Sequence, residues 1–287
     1  MRLISYLELT KPKTVALLVW TSIATTLVAT HRYQVALSSY IWVASIIAIT
    51  LATAGCNSVT SYLDRDVDAR MERTTRRPLP SMRIHPAQRG LYFGMSLLGL
   101  SFVLGWLLGL LPFTCLALGA FDNIVIYSLL LKRRNPVNIV LGGLSGGFPA
   151  LFGWFVVTDK GLLEAVMIAG LVVAWIPTHI WSLAIFFSDD YRRAKIPMLP
   201  IIDFRKAIRC ILGSVVSMFL LSMVLWYTGG FGWVYLVVAF PIGMVVLGGS
   251  LAFFFHPTKG NAWKMFKLSS PYLALVFFAM VLDSLIL

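Results

Sequence analysis

Nine apolar stretches follow one another along this chain of 287 residues, and each is long enough to cross a lipid bilayer as a helix. Such a helix needs roughly 20 apolar residues, because the hydrocarbon core is about 30 Å thick. The chain is 59% hydrophobic and only 13% charged, unlike soluble globular proteins. The pattern predicts an all-α, polytopic membrane protein with nine transmembrane helices. The predicted spans are residues 14–30, 40–63, 90–108, 112–131, 137–157, 162–188, 207–228, 231–255 and 268–287.

The helix count depends on a turn near Pro112. Residues 90–131 are apolar almost throughout and far too long for one span. Pro112 favours a break there because proline is well suited to the first turn of a helix. With this break, the acidic segments 64–68 and 189–190 leave the membrane on the same side. Without it they would leave on opposite sides, and no shared site would exist.

Positive charge is distributed unequally between the two predicted sides of the membrane. Of the 24 Lys and Arg residues, all except Arg32 and Lys160 fall on one side. By the positive-inside rule, this side is cytoplasmic and includes the N-terminus. The formal net charge of +12 therefore indicates membrane orientation and a polyanionic ligand. No nucleic-acid-binding module is recognisable, so nucleic acid is not an expected partner.

The chain has the organisation of a single membrane domain. No linker or low-complexity segment divides residues 1–287, which predicts one domain over that range. The start MRLISYLELTKPK has no cleavage-site pattern, so we expect no signal peptide to be removed.

An acidic motif, DRDVD at residues 64–68, follows the second predicted span. Asp64 and Asp68 are four residues apart and share one helical face, whereas Asp66 points elsewhere. Two aligned carboxylates repel each other unless a cation lies between them. Mg²⁺ suits this arrangement because it takes one or two carboxylates together with substrate phosphate oxygens. The alternative is a solvated loop in which arginines balance the acids.

Four segments resemble the intramembrane prenyltransferases of the UbiA superfamily, and most closely the subfamily that farnesylates heme. They are YLDRDVDARMERTTRRPLP at 62–80, residues 127–154, WIPTHIWSLAIF at 175–186, and DDYRRAKIPMLPII at 189–202. The resemblance implies a nine-helix UbiA-type bundle with a central cavity open to lipid. It also implies that Mg²⁺ and two aspartate motifs hold a prenyl diphosphate near the cytoplasmic side.

The resemblance assigns metal-binding and catalytic roles to three acids. Asp64 and Asp68 match the first aspartate motif, and Asp190 matches the acid of the second. The superfamily's broader second motif has a further acid where this chain has Ala194, and Asp189 is a candidate substitute. The family asparagine before the first motif is replaced by Thr60.

Asn57 lies one turn before Thr60 and approaches the same face. Either side chain is a candidate to supply the neutral oxygen that the family asparagine provides. The sequence does not decide between Asn57 and Thr60 as this substrate-binding group.

The resemblance also implies a set of diphosphate-binding residues. Lys132 is expected to act with Tyr127 as a catalytic clamp, while Arg77 and Arg133 bind diphosphate oxygens. A basic triplet after an apolar helix also serves as a positive-inside anchor, and this alternative remains open for residues 132–134.

Two polar features lie within the predicted spans. His179 is expected either to contact the porphyrin, through its iron or a propionate, or to hydrogen-bond between helices. Asp122 and Asn123 form a polar pair to which the sequence assigns no role, although an acid at this depth is a functional candidate.

The expected reaction is Mg²⁺-dependent transfer of a farnesyl group from farnesyl diphosphate to a vinyl group of heme b, giving heme O. The alternative is a UbiA-type enzyme with a quinone precursor, chlorophyllide or glycerol phosphate as acceptor. A CDP-alcohol phosphotransferase is disfavoured because its Asp-Gly and Ala-Arg sequence is missing. A transporter is disfavoured because the acids lie at helix ends and not near the midplane. Expected partners are membrane lipid and, in the cell membrane, a heme A synthase or a terminal oxidase.

Overall fold

The computed structural model describes residues 2–286, which are helical or connecting segments without a β-strand in that range. Met1 and Leu287, at the ends of the predicted domain, and the side chain of Arg2 lie outside the described residues. The α-helices in chain order are α1 Arg2–Leu9, α2 Pro12–Tyr33, α3 Ser39–Leu63, α4 Arg65–Asp68, α5 Gln88–Leu108, α6 Leu110–Phe121, α7 Asn138–Leu141, α8 Phe148–Phe155, α9 Leu162–Phe186, α10 Ser188–Arg193, α11 Leu199–Ile202, α12 Phe204–Thr228, α13 Trp233–Phe255 and α14 Lys259–Ile286.

Two short non-α helices interrupt this series. A π-helix over Asp122–Leu131 continues α6 to the end of its span, and a 3-10 helix over Gly142–Gly146 lies between α7 and α8. The break expected near Pro112 is confirmed, since α5 and α6 are separated at Gly109. Gly109 has a φ of 134°, a backbone conformation that favours glycine.

Within residues 2–286, eight continuous helices are long and apolar enough to cross a membrane. The prediction of nine is wrong because residues 137–157 form α7, the 3-10 helix and α8 instead of one helix. Glycine weakens an α-helix through its backbone entropy, and a side chain is excluded at Gly142. A Cβ there would lie 2.5 Å from the Tyr127 Cβ atom.

The broken segment nevertheless returns the chain to the opposite end of the bundle. Lys132, before this segment, pairs with Asp64 at the C-terminal end of α3. Glu164, after it, pairs with Arg32 near the C-terminal end of α2 at 2.8 Å. The helix α9 therefore runs back toward Asp64, and both acidic motifs emerge on one side as expected.

The core is arranged around α9, which packs against α12 and α14, while α3 packs closely against α5. A cavity of about 120 Å³ lies between α2, α3, α6 and α8. The lining is mainly apolar, and its polar members include Thr14, Thr53, Asn57, Asn123 and Ser145.

Candidate functional site

The first acidic motif lies at the end of α3, where the chain turns into α4. Asp64 and Asp68 are both 5% exposed, whereas the side chain of Asp66 is 45% exposed. The backbone N–H of Asp68 donates to the carbonyl of Asp64 at 2.8 Å. One helical turn therefore buries two carboxylates on the same side and directs the third outward, as the spacing predicted.

Lys132 pairs directly with Asp64, and only 15% of the lysine side chain is exposed. Burial opposes the charge of Lys132, but Tyr127 and the carboxylates of Asp64 and Asp68 raise the pKa of the lysine above its ordinary value. Oδ1 of Asp64 is buried and has no hydrogen-bond partner within residues 2–286. One oxygen of this carboxylate thus remains available for a further cation or donor.

The π-helix explains how Lys132 reaches this position. Its hydrogen bonds join residues five apart, so Asp122, Tyr127 and Lys132 succeed one another along one side of the helix. The N–H of Lys132 donates to the carbonyl of Tyr127 at 2.8 Å. The ammonium of Lys132 lies 5.5 Å from the centroid of the Tyr127 ring. The π-helix therefore places Tyr127 and Lys132 side by side, and their action as a diphosphate clamp stays a prediction.

Arg77 lies beside Asp68 in the loop that follows α4. Its Nη1 atom donates to both carboxylate oxygens of Asp68, at 2.9 and 2.8 Å. The hydroxyl of Thr74 donates to the backbone carbonyl of Asp68 at 2.8 Å and holds the loop against α4. These hydrogen bonds position Arg77 at the first acidic motif.

The second acidic motif meets the same loop. Asp190, on α10, is 5% exposed and accepts hydrogen bonds from the backbone N–H groups of Glu72 and Arg73, each at 3.2 Å. Its carboxylate also pairs with Arg193. Although burial opposes ionisation, these donors hold the pKa of Asp190 below its ordinary value. The segment 69–77 thus connects the two motifs.

Asp189 is placed differently from Asp190. Its side chain is 67% exposed and pairs with Lys259 at 2.7 Å and Arg192 at 3.5 Å. The expected substitute ligand therefore lies on the surface and not beside Asp68.

Arg133 also faces away from the buried acids. Its guanidinium donates to both carboxylate oxygens of the exposed Asp66, at 2.9 and 2.6 Å, and to the carbonyl of Leu63 at 2.6 Å. This pair anchors the loop after the π-helix to the end of α3. Diphosphate binding by Arg133 stays a prediction.

Asn57 and Thr60 both lie on α3, before the acidic motif. The Asn57 amide donates to the carbonyl of Thr10 at 2.9 Å, and the side chain lines the cavity. The hydroxyl of the buried Thr60 donates to the carbonyl of Asn57 at 3.2 Å. Asn57 therefore fixes the corner between α1 and α2, and of the two residues it is the one that reaches the cavity.

Lys11 lies at the corner between α1 and α2 and is a site residue that the sequence analysis missed. Lys11 is partly buried and has a φ of 55°, which is rare for residues other than glycine. Burial, followed by the positive charges of Arg77 and Lys132, lowers the pKa of Lys11 to about 8. Pro12 disfavours a helical Lys11 and so indicated a helix boundary there, but it gave no signal for a left-handed φ or for a role in the site.

His179 lies on α9, at a distance from the acidic motifs along the helix. Its ring stacks on Trp175 and packs against Phe266, with both centroid separations 4.3 Å. Nδ1 is 2.9 Å from the hydroxyl oxygen of Ser269. Both expectations for His179 persist, since one ring nitrogen bonds between helices while the ring is partly exposed.

Asp64, Asp68 and Asp190 are the residues that would hold Mg²⁺. Within residues 2–286, no group of three or more His, Cys, Asp or Glu side chains is close enough to hold a metal ion. Each of Asp64, Asp68 and Asp190 pairs instead with a Lys or Arg side chain. The donor chemistry still fits, because carboxylate oxygens suit Mg²⁺ and Oδ1 of Asp64 is unpartnered in this range.

Two of the helical segments that carry these ion pairs also line the cavity. Asn57 precedes Asp64 by about two turns on α3, and Asn123 lies on the π-helix that ends at Lys132; both line the cavity. Long apolar helices with a charged cluster above an apolar cavity define an integral membrane protein suited to a ligand with an anionic head and an apolar tail.

Comparison with known proteins agrees with this class. The model of the UbiA prenyltransferase family matches residues 18–279. A protoheme IX farnesyltransferase of Desulforudis audaxviator is 46% identical over 280 residues, covering 97% of this chain and 88% of its own. A protoheme IX farnesyltransferase of Thermoplasma volcanium is 41% identical, covering 95% and 94%. The chain belongs to the UbiA prenyltransferase family.

Solved structures show the same fold at low sequence identity. A digeranylgeranylglyceryl phosphate synthase has a TM-score of 0.83 and 20% identity, covering 100% of this chain and 99% of its own. A UbiA homolog from Archaeoglobus fulgidus, bound to GPP and Mg²⁺, has a TM-score of 0.67 and 14% identity, covering 96% and 99%. The UbiA fold is therefore shared.

Proposed function

We propose that this chain transfers the farnesyl group of farnesyl diphosphate to a vinyl group of heme b, giving heme O. The observation that carries the proposal is that Lys132, Arg77 and two acidic motifs meet at one end of the bundle, where helices that line an apolar cavity end. The relatives described above, with 46% and 41% identity, are named protoheme IX farnesyltransferases.

The diphosphate would lie among the buried ion pairs. Lys132 and Arg77 would shift from their carboxylates and donate to diphosphate oxygens, with the Tyr127 ring holding the lysine in place. Asp64, Asp68 and Asp190 would then hold Mg²⁺ against the same oxygens. When bound, this ion supplies charge that stabilises the leaving diphosphate.

The chemistry follows from that placement. The bond between the farnesyl C1 atom and the diphosphate oxygen breaks, and the diphosphate leaves with the electron pair. The π electrons of the heme vinyl group then form a carbon–carbon bond to the allylic cation. Water adds to the resulting cation next to the porphyrin and releases one proton, which completes the hydroxyl group. Once Lys132 and Arg77 have shifted to the diphosphate, these cations would stabilise the leaving group without further reorganisation during the reaction.

The cavity supports this sequence by limiting the access of water. Apolar residues line most of it, so the farnesyl chain would displace solvent from the reacting carbon. His179, with Trp175 and Phe266 around it, would contact the porphyrin on α9. We further propose that the acidic motifs face the cytoplasm, because nearly all Lys and Arg residues lie at their end of the bundle.

The direct test uses the full chain reconstituted in lipid vesicles with heme b, farnesyl diphosphate and Mg²⁺. We expect a product with the mass of heme b plus one farnesyl and one hydroxyl group, detected by mass spectrometry, in which one vinyl group has become a hydroxyethylfarnesyl substituent. Asp64→Ala should abolish it. Transfer to a phenolic, chlorophyllide or glycerol phosphate acceptor, with heme left unmodified, would overturn the proposed acceptor. Release of farnesol alone would overturn the transfer.

A further inference from the structure

Asp122 is a buried carboxylate within a membrane-spanning helix, and the proposed reaction gives it no role. It is 4% exposed, and Oδ2 accepts a hydrogen bond from the backbone N–H of Ser145 at 2.7 Å. Oδ1 is buried with no hydrogen-bond partner within residues 2–286. Acids at this depth are costly and mark functional positions, so this residue requires an explanation.

The hydrogen bond joins the two irregular segments of the bundle. Asp122 is the first residue of the π-helix, and Ser145 belongs to the 3-10 helix between α7 and α8. Segments of π-helix cost stability and occur frequently at functional sites. Asp122 therefore fixes the position of one irregular segment against the other.

The same two segments hold the cationic side of the site. Tyr127, five residues after Asp122, packs so closely on Gly142 that no Cβ fits between them. Lys132, five residues further on, lies over the Tyr127 ring and pairs with Asp64. A return of the π-helix to α-helical hydrogen bonding would rotate Tyr127 and Lys132 away from this side, because the number of residues per turn would change.

The cavity wall depends on the same contact. Asn123, next to Asp122, and both Ser145 and Gly146 line the cavity. If Ser145 moved relative to the π-helix, this wall of the cavity would change shape.

We propose that Asp122 is a positioning residue, whose hydrogen bond to the Ser145 N–H sets the register in which Tyr127 and Lys132 face the diphosphate. The proposal rests on the proposed function in that the ligand is a prenyl diphosphate, but it does not depend on the acceptor. Its direct consequence is that loss of the Asp122 acceptor weakens binding of the diphosphate substrate.

Asp283 offers a matched control. It is 1% exposed on α14 and accepts hydrogen bonds from the backbone N–H groups of Gly232 and Tyr235, at 2.6 and 3.0 Å. The chemistry is the same as at Asp122, but these partners lie at the opposite end of the bundle, near Arg32. A purely structural role would give the two acids similar effects.

The experiment measures farnesyl diphosphate binding to the full chain in lipid nanodiscs, with Mg²⁺ and without heme. We expect Asp122→Leu to weaken the affinity about 10-fold or more, the lower end of the effect of removing a group that orients a metal-site residue. Asp122→Asn should bind nearly as well as the wild type, because its amide oxygen still accepts the Ser145 N–H. Asp283→Leu should lower the melting temperature and leave the affinity unchanged.

Three results would overturn the proposal: wild-type affinity in Asp122→Leu, equal weakening in Asp122→Asn, or equal weakening in Asp283→Leu. If Asp122→Leu does not accumulate, Asp122→Ala replaces it, since alanine removes the acceptor without adding bulk. A wild type that binds farnesyl diphosphate but does not modify heme defeats the acceptor assignment only. A wild type that binds none defeats the proposed function and this inference together.

Discussion

Asp190 accepts a hydrogen bond from the backbone N–H of Arg73 at 3.2 Å, and this contact joins the second acidic motif to the loop that follows the first. The neighbouring N–H of Glu72 donates to the other oxygen at the same distance. The carboxylate organises the loop that carries Arg77. We expect it also to contribute negative charge for the proposed magnesium site.

These two functions of Asp190 can be separated by substitution. Asp190→Ala leaves two backbone N–H groups without an acceptor, at a cost of about 1–3 kcal/mol each when they are buried. We expect this variant to lose farnesyl transfer and to become more sensitive to trypsin at the arginines of 69–77. Asp190→Asn should also lose transfer but keep the protease resistance. The exposed Asp189→Ala is the control and should match the wild type, so loss of transfer there would contradict the assignment.

The pair of Lys132 and Asp64 predicts that a second substitution restores the stability lost through the first. Both side chains are largely buried, so Lys132→Met leaves an unpaired carboxylate and should destabilise the protein by about 3–5 kcal/mol. Adding Asp64→Asn should restore much of the melting temperature, because no charge then remains unpaired. Transfer activity should stay absent in the double variant. Arg134 is exposed, so Arg134→Met is the control for a role of this basic segment in membrane anchoring alone, and this variant should remain active.

The ion pair of Arg133 and Asp66 is expected to contribute less to stability than the pair of Lys132 and Asp64. Both Arg133 and Asp66 are at least 40% exposed, and exposed pairs contribute only about 0.2–1 kcal/mol. A double-mutant cycle on unfolding should therefore give a coupling energy in that range. Arg133→Met and Asp66→Asn should raise the KM for farnesyl diphosphate equally and slightly. A large increase in Arg133→Met alone would show direct diphosphate contact.

Lys11 predicts a pH dependence that the other site cations do not share. Its lowered pKa, about 8, means that it is charged below this pH and becomes neutral above it. If its charge helps to bind diphosphate, kcat/KM for farnesyl diphosphate should fall as pH rises through about 8, since this ratio reports the free enzyme. Lys11→Arg should remove the fall, and the exposed Lys13→Met should retain it. An unchanged profile in Lys11→Arg would exclude Lys11 as its origin.

The fold was predictable from sequence wherever a local pattern determined it. Apolar length indicated the spanning helices, and the four-residue spacing of Asp64 and Asp68 indicated their common face. The broken segment 137–157 was misread because glycines permit two outcomes: close packing of a continuous helix or interruption of it. Contact with Tyr127 decides between them at Gly142, and such contacts are set by tertiary structure.

The site was predictable only where its residues form local motifs. Its acids occur in recognisable motifs, whereas the bond from Arg73 to Asp190 joins residues far apart in sequence. The π-helix and the conformation of Lys11 have no strong local signal. Resemblance to a family supplied candidate roles but could not show that Arg133 faces Asp66 or that Asn57 holds Thr10.

His179 gives the test that separates heme binding from farnesyl diphosphate binding. The ring lies between Trp175 and Phe266, and its Nδ1 is occupied by Ser269. His179→Phe preserves an aromatic ring in this stack but removes both nitrogens. If Nε2 reaches the porphyrin iron or a propionate, this variant should bind heme more weakly and lose the shift of the Soret band. Its affinity for farnesyl diphosphate should not change. Ser269→Ala removes only the hydroxyl and should weaken heme binding less. An unchanged heme spectrum in His179→Phe would contradict a heme contact and leave His179 with its hydrogen bond between helices alone.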